Sequence, residues 1–388
     1  MSLSSLPLSY CTNVHSGRSL DEVEAGLDQY TVEVRKNFGE PLAAGLWLAQ
    51  PVIGELLEEP GAIPRFAERL QHRELTCHTL NAFPYGDFHS ERVKAKVYFP
   101  DWTQPERLKY TVGCATVLAA LLPDDVEGSI STLPLGYKPF CDSRDFSDVA
   151  IERLIDCADR LDRIREETGR TIRLAIEPEP FCMLEFTDEV IPIFQRMWKR
   201  ASERNLLETV QRHLGICFDV CHQSVEFEDV SRSIQDLNTA GVRINKVHVT
   251  CALELDRPSE NPDGRAALAR YVEPRYLHQT MARTSSGEIL RIPDLTEQLA
   301  REPHDAFLNA DMWRIHFHVP VDAESLGPLG TTRADLKKAL AAVAELDYAP
   351  HLEVETYTWE VLPDARQAGL VDGLTRELAA TRTLLSSL

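Results

Sequence analysis

Short apolar runs alternate with longer amphipathic ones along nearly the whole chain, the pattern of βα units wound about a parallel sheet. The apolar runs predict strands at Leu8–Val14, Ala44–Ala49, Leu75–Leu80, Gly128–Leu133, Ile172–Ile176, Leu214–Asp219, Asn245–Thr250, Arg314–Val319 and Leu352–Thr356. That is one strand more than an eightfold barrel accommodates.

Caps and periodicity mark the helices between them. Ser19, with Glu22 three residues on, forms a capping box ahead of a run to Phe38. From Ser147, Ile151, Leu154, Ile155, Ala158, Leu161 and Ile164 recur at three and four, so one stripe faces a core. Similar helices are expected at Asp188–Leu214, broken near Asn205, and at Val230–Ala240, Thr332–Leu346 and Asp372–Leu385. No linker or low-complexity tract divides the chain, so residues 1–388 are expected to form a single α/β domain, a (β/α)8 TIM barrel. The least regular stretch, Leu255–Asp311, carries Pro258, Pro262, Pro274 and Pro293. It reads as an insertion late in the chain, either a lid over the barrel mouth or an arm docked on a neighbouring subunit of a homo-oligomer.

Composition narrows the partners. With 43% hydrophobic and 26% charged residues the chain can build a real core. The 61 acidic against 41 basic residues give −20, which disfavours nucleic acid and anionic membrane surfaces and leaves a small-molecule substrate. The nine cysteines are scattered, mostly within apolar runs, and suggest a reducing compartment. The first residues lack a basic n-region, and the longest apolar run, Val112–Leu122, stops well short of the roughly 20 residues a bilayer needs. A cytoplasmic protein is expected.

Candidate chemistry collects where apolar strands end on polar residues, because the C-terminal strand ends of a barrel share one mouth. These are Asn13 and His15, His78 and Asn81, Glu177 and Glu179, Asp219 and His222, His248, His316 and His318, and Glu353 and Glu355. Each alone is as readily a helix cap or a satisfied core residue, but together they offer the oxygen and imidazole donors that suit Zn, Mn or Mg. Phe83, Tyr85, Trp102, Tyr357 and Trp359 are candidate walls for a polyol. Arg92, Lys94, Lys96 and Lys138 are candidate partners for a substrate anion.

Glu177 in LAIEPEP, Asp219 and His222 as D-x-x-H, His248 in KVHVT and Glu355 in HLEVET resemble the successive strand-end ligands of the xylose-isomerase-like TIM-barrel superfamily. That superfamily holds sugar isomerases, ketose 3-epimerases and zinc-dependent AP endonucleases. Segments at Leu80–His89, Val97–Thr103, Arg314–Pro320 and His351–Trp359 also resemble the EboE-like metabolite-traffic family. The epimerase resemblance implies that Glu177, Asp219, His248 and Glu355 ligate one divalent metal. Glu177 and Glu355 then exchange a carbon-bound proton from opposite sides, and His222 holds the substrate beside His78, Asn81 and Trp359. The endonuclease resemblance instead implies a second metal site drawn from His78, His222, His316 and His318, and phosphodiester hydrolysis. The EboE-like resemblance allows a non-catalytic metabolite-binding role. In the endonuclease D-x-H pair the acid position is here His316, and either His248 or the His316/His318 pair fills the seventh-strand ligand position.

Overall fold

The computed structural model describes residues 3–363 and 369–388. Seven strands follow one another around a barrel: β1 (Leu8–Cys11), β2 (Leu42–Trp47), β3 (Thr79–Asn81), β4 (Gly128–Thr132), β5 (Ile172–Ile176), β6 (Leu214–Asp219) and β7 (Ile244–Val249). The chain then leaves the barrel through β8 (Cys251–Asp256), β9 (Thr280–Arg283), β10 (Ile289–Ile292), β11 (Met312–Val319), β12 (Ser325–Leu326) and β13 (Leu329–Thr331). It returns with β14 (His351–Val354), which pairs in parallel with both β7 and β1 and closes the eight-stranded barrel.

The ninth predicted strand is therefore not a barrel stave. It is β11, the middle of an antiparallel sheet ordered β10-β9-β11-β8-β13-β12. The sheet runs from Cys251 to Thr331, wider than the Leu255–Asp311 excursion, and it is no loop: Leu253, Leu255, Met281, Trp313, Ile315 and Phe317 are fully buried. Only Thr250 separates β8 from the barrel strand β7, so one extended segment runs from barrel to second sheet.

Helices fall between the strands. Ser19 caps the first by accepting from Glu22 N, whereas Glu22 reaches back to Arg18 N instead of Ser19. The helix Phe146–Thr168 stops at Gly169, whose φ of 72° is the left-handed conformation that ends helices. The predicted break near Asn205 lies between the helices Thr187–Glu203 and Leu207–His213, and Asn205 itself has φ 55. No helix among the described residues is long and apolar enough to cross a membrane. All nine cysteines are unpaired, eight of them buried.

Strand register sets the height of the polar residues. Asp219 and Glu353 are both level with His248 on the neighbouring strands, and Glu355 stands two residues further along. Because side chains alternate, Glu353 and Glu355 share a face, one below the other.

Candidate metal centre

Three carboxylates converge on one imidazole nitrogen. Glu177 Oε1 lies 3.1 Å from His248 Nδ1, Glu355 Oε2 lies 3.2 Å from it and Asp219 Oδ2 lies 3.3 Å from it. The four side chains are buried, and their ligand atoms all lie within 4.8 Å of one another. A tetrahedral ion with bonds of about 2.1 Å needs its donors about 3.4 Å apart, so the set fits a divalent cation with little adjustment. Glu177 Oε2 and Asp219 Oδ2 have no hydrogen-bond partner although buried, which is costly unless a cation occupies the space between them.

The surrounding groups orient this set. Glu355 Oε1 accepts from Asn13 Nδ2 and Asn81 Nδ2, each at 2.8 Å, which leaves Oε2 to face His248. Asp219 Oδ1 accepts from Thr250 Oγ1 at 2.7 Å and from His222 N at 3.1 Å, which leaves Oδ2 free. Beneath, His248 Nε2 faces Glu353 Oε1 at 3.4 Å, and the buried Lys246 Nζ lies 2.6 Å from that same oxygen. A proton held on Nε2 toward a carboxylate presents the Nδ1 lone pair upward, the arrangement that commonly orients metal-binding histidines. Room for Glu353 is made by Gly45, where a Cβ would stand 1.6 Å from Glu353 Oε2.

Burial shifts the acids. It raises Glu177, and it pushes Glu355 up to about 7, with the Glu177 and Asp219 charges adding and His248 and His318 opposing. Burial also raises Glu179 to about 8, although the Tyr98 hydroxyl donates to it at 2.7 Å. Burial opposes charge on His248 too, yet Cys217, Glu177 and Glu355 outweigh it and hold the imidazole well above its usual range.

Above lies a second cluster, supplied mostly by the inserted sheet. His222 Nε2 is 3.1 Å from His316 Nε2, which is 3.3 Å from His318 Nε2. Each ring has an oxygen acceptor at its other nitrogen: Pro178 O for His222 at 2.9 Å, Gln279 Oε1 for His316 at 2.7 Å and Glu355 O for His318 at 2.7 Å. If those Nδ1 atoms donate, three Nε2 lone pairs meet at one place. Burial lowers the pKa of all three rings, and mutual repulsion adds to the effect at His316. A register irregularity between Ile315 and Val319 in the β11–β8 pairing spans both histidines, and such bulges re-aim side chains. Asp219 Oδ2, 4.0 Å from His318 Nε2, stands between the clusters.

Several expected residues lie elsewhere. His248 stands on the seventh barrel strand, and His316 and His318 do not occupy that position. His78 precedes β3 instead of ending it, and its ring packs edge-on against His351 at the start of β14. It is therefore at the opposite end of the barrel from both clusters and joins neither. Trp359 is also away from the cleft: its Nε1 donates to the buried Glu377 at 2.8 Å and its ring packs on Gly373. Trp102 is a core residue whose Nε1 donates to Thr132. Lys138 pairs with Glu185 and Glu189. Asn81 and His222 do line the cleft, with Asn13, Glu177, Glu179, His316 and Glu355. Sequence reasoning gave no role to Lys246, Gln279, Tyr98 or Thr250; Lys246, a lysine two residues before a strand-end histidine on the same strand face, carried the one available signal.

No protein-family model and no curated protein matches the sequence. The EboE-like resemblance thus rests on sequence motifs alone. Solved structures are similar over nearly the whole chain. A D-psicose 3-epimerase solved in the presence of D-fructose has a TM-score of 0.51 at 11% identity, covering 98% of this chain and 99% of its own. A D-tagatose 3-epimerase-like protein has a TM-score of 0.51 at 12% identity, covering 98% of each chain. An IOLI protein with a bound zinc atom has a TM-score of 0.50 at 13% identity, covering 98% of this chain and 99% of that one. The chain therefore has a (β/α)8 barrel fold similar to that of these solved structures, with a six-stranded antiparallel sheet added between its seventh and eighth staves.

Proposed function

We propose that the protein is a divalent-metal-dependent isomerase or epimerase that moves a carbon-bound proton beside a carbonyl in a small hydroxylated metabolite. The observation that carries this is the gathering of Glu177, Asp219 and Glu355 oxygens within 3.1–3.3 Å of His248 Nδ1 at the floor of a cleft. Glu177, Asp219, His248 and Glu355 would hold a Zn, Mn or Mg ion, which would supply Lewis-acid polarisation of a substrate carbonyl. Glu177 and Glu355 both line the cleft. Their carboxylates take a proton from one face of the substrate carbon and return one from the other. Asn13 and Asn81 hold Glu355 in place, and His222 offers a polar contact to the substrate. The inserted segment, whose Tyr276 and Leu277 line the same cleft, covers the mouth and shields the site from water.

The test is exchange of a carbon-bound proton in deuterated water, followed by NMR over a panel of ketopentoses and ketohexoses with Zn-, Mn- or Mg-loaded protein. Glu177→Gln should abolish the exchange while substrate binding persists. Exchange unchanged in Glu177→Gln overturns the role.

A second reading, phosphodiester hydrolysis, is favoured by the convergence of the His222, His316 and His318 Nε2 atoms, because two or more ions clamp the attacking and leaving oxygens of that reaction. Metal stoichiometry separates the two: one ion per chain fits proton transfer, and two or three fit hydrolysis. Tight metabolite binding without turnover by a protein shown to be folded would point instead to the non-catalytic, EboE-like role.

A further inference from the structure

The two sides of the cleft above the carboxylates differ in chemistry. The floor is polar. The wall is built by Phe83, Phe88, Val97, Tyr276, Leu277 and Tyr357. Resting on the isomerase or epimerase reading, we propose that the substrate is an uncharged molecule with two ends: a hydroxy-carbonyl group that meets the carboxylate floor, and an apolar, ring-sized portion that packs on this wall.

The wall is rigid before any ligand arrives. The Phe88, Tyr276 and Tyr357 rings pack on one another with centroids 4.9 Å (Phe88 to Tyr276), 5.5 Å (Phe88 to Tyr357) and 4.9 Å (Tyr276 to Tyr357) apart. The segments that carry Val97 and Tyr276 are clasped together, since Val93 N and Lys94 N both donate to Arg275 O, at 2.9 and 2.7 Å. A wall that need not be ordered on binding costs its ligand little entropy.

Few of its polar atoms are open. Of the two tyrosine hydroxyls in the wall, that of Tyr276 donates to Phe88 O at 3.2 Å. Lys94, the only lysine or arginine among the described residues that line the cleft, donates to Glu273 O, Tyr276 O and Asp294 Oδ2, at 3.1, 2.7 and 2.7 Å. An ammonium group has three protons, so Lys94 has none left for a phosphate or carboxylate. A substrate anion would instead approach Glu177, Glu179 and Glu355. A polyol chain laid on the wall would give up more hydrogen bonds to water than the wall returns, whereas an apolar ring is favoured by burial. Sequence inspection offered Lys94 as an anion contact; its three partners remove it from that role.

Hydroxamates probe this directly, because one oxygen pair chelates a divalent ion while the substituent varies. Protein loaded with Zn or Mn is titrated with acetohydroxamate, benzohydroxamate and phosphonoacetohydroxamate. Benzohydroxamate should bind roughly tenfold or more tighter than acetohydroxamate, as expected for burial of a ring in place of a methyl. Phosphonoacetohydroxamate should bind more weakly than either. The partly exposed Leu277→Asn and Val97→Asn variants should lose most of the benzohydroxamate advantage while keeping metal content and acetohydroxamate affinity. Equal affinities for the methyl and phenyl probes, tightest binding of the phosphonate, or an undiminished advantage in both variants overturns the proposal while the metal reading stands. Protein that takes up no divalent ion overturns that reading, and this proposal with it.

Discussion

The floor and the roof of the cleft hold polar clusters of opposite kind. On the floor, acidic oxygens from three barrel strands crowd one imidazole, and charge is the governing quantity. In the roof, three imidazoles meet with Glu179 beside them, 3.7 Å from His316, and burial lowers the basicity of all three rings. The floor's carboxylates reach both levels: Asp219 Oδ2 lies 4.0 Å from His318, Glu355 Oε2 lies 3.7 Å from His318 and Glu177 Oε1 lies 3.9 Å from His222. The barrel thus supplies hard oxygen donors and the inserted sheet supplies nitrogen, so the two levels should differ in which ions they prefer and in how strongly they need them.

Substitution at a shared carboxylate should have the largest effect. Asp219→Ala removes one of the contacts between levels and is expected to weaken divalent-ion affinity by more than about 100-fold, read by competition with a chromophoric chelator. Affinity within a fewfold of wild type would show that Asp219 holds no ion. Next in size is the layer under the floor. Glu353→Gln should weaken the floor's affinity by about 10- to 100-fold by loosening the hold on His248. Because it also strips Lys246 of its buried partner, it should destabilise the fold, and the paired Lys246→Met/Glu353→Gln variant should recover stability without recovering affinity. Recovery of both would make Glu353 a packing residue only.

Metal removal comes third. At an ion concentration about 1,000 times Kd, binding to the folded state adds about 4 kcal/mol, so chelator should lower Tm by several degrees. No change on chelation, and none on adding Zn or Mn, would remove the floor from metal chemistry. The smallest effect is expected in the roof: His316→Ala should leave the floor's ion in place and alter only a second one. Loss of the first ion in that variant would erase the distinction between the levels.

The floor was legible in the sequence because each ligand closes an apolar run, and parallel strands in a barrel deliver such ends to one mouth. The roof was not. Arg314–Val319 has the same apolar character as a stave, and periodicity carries no information about parallel or antiparallel pairing, so β11 was counted with the barrel. His78 was misplaced for a related reason: Leu75–Leu80 reads as one strand, but only Thr79 and Leu80 of it enter β3, which puts His78 at the entrance of the strand instead of its exit. The prolines of Leu255–Asp311 hid a packed sheet, since β9 is the short segment Thr280–Arg283 with little apolar signal.

The closing stave has a consequence for how the molecule assembles. The seam between β1 and β14 joins Ser9 to Glu353, 344 residues apart, whereas Arg314 meets Glu254 across only 60. Distant pairings carry the larger loop-closure cost and tend to form late, so the roof can organise while the barrel is still open. Glu355 lies just beyond β14, and Glu177 and Asp219 arrive on β5 and β6, so the floor does not exist until the last stave docks. Ion uptake during refolding should therefore follow the final, slow phase of barrel closure and lag behind the burial of Trp313 in the sheet above.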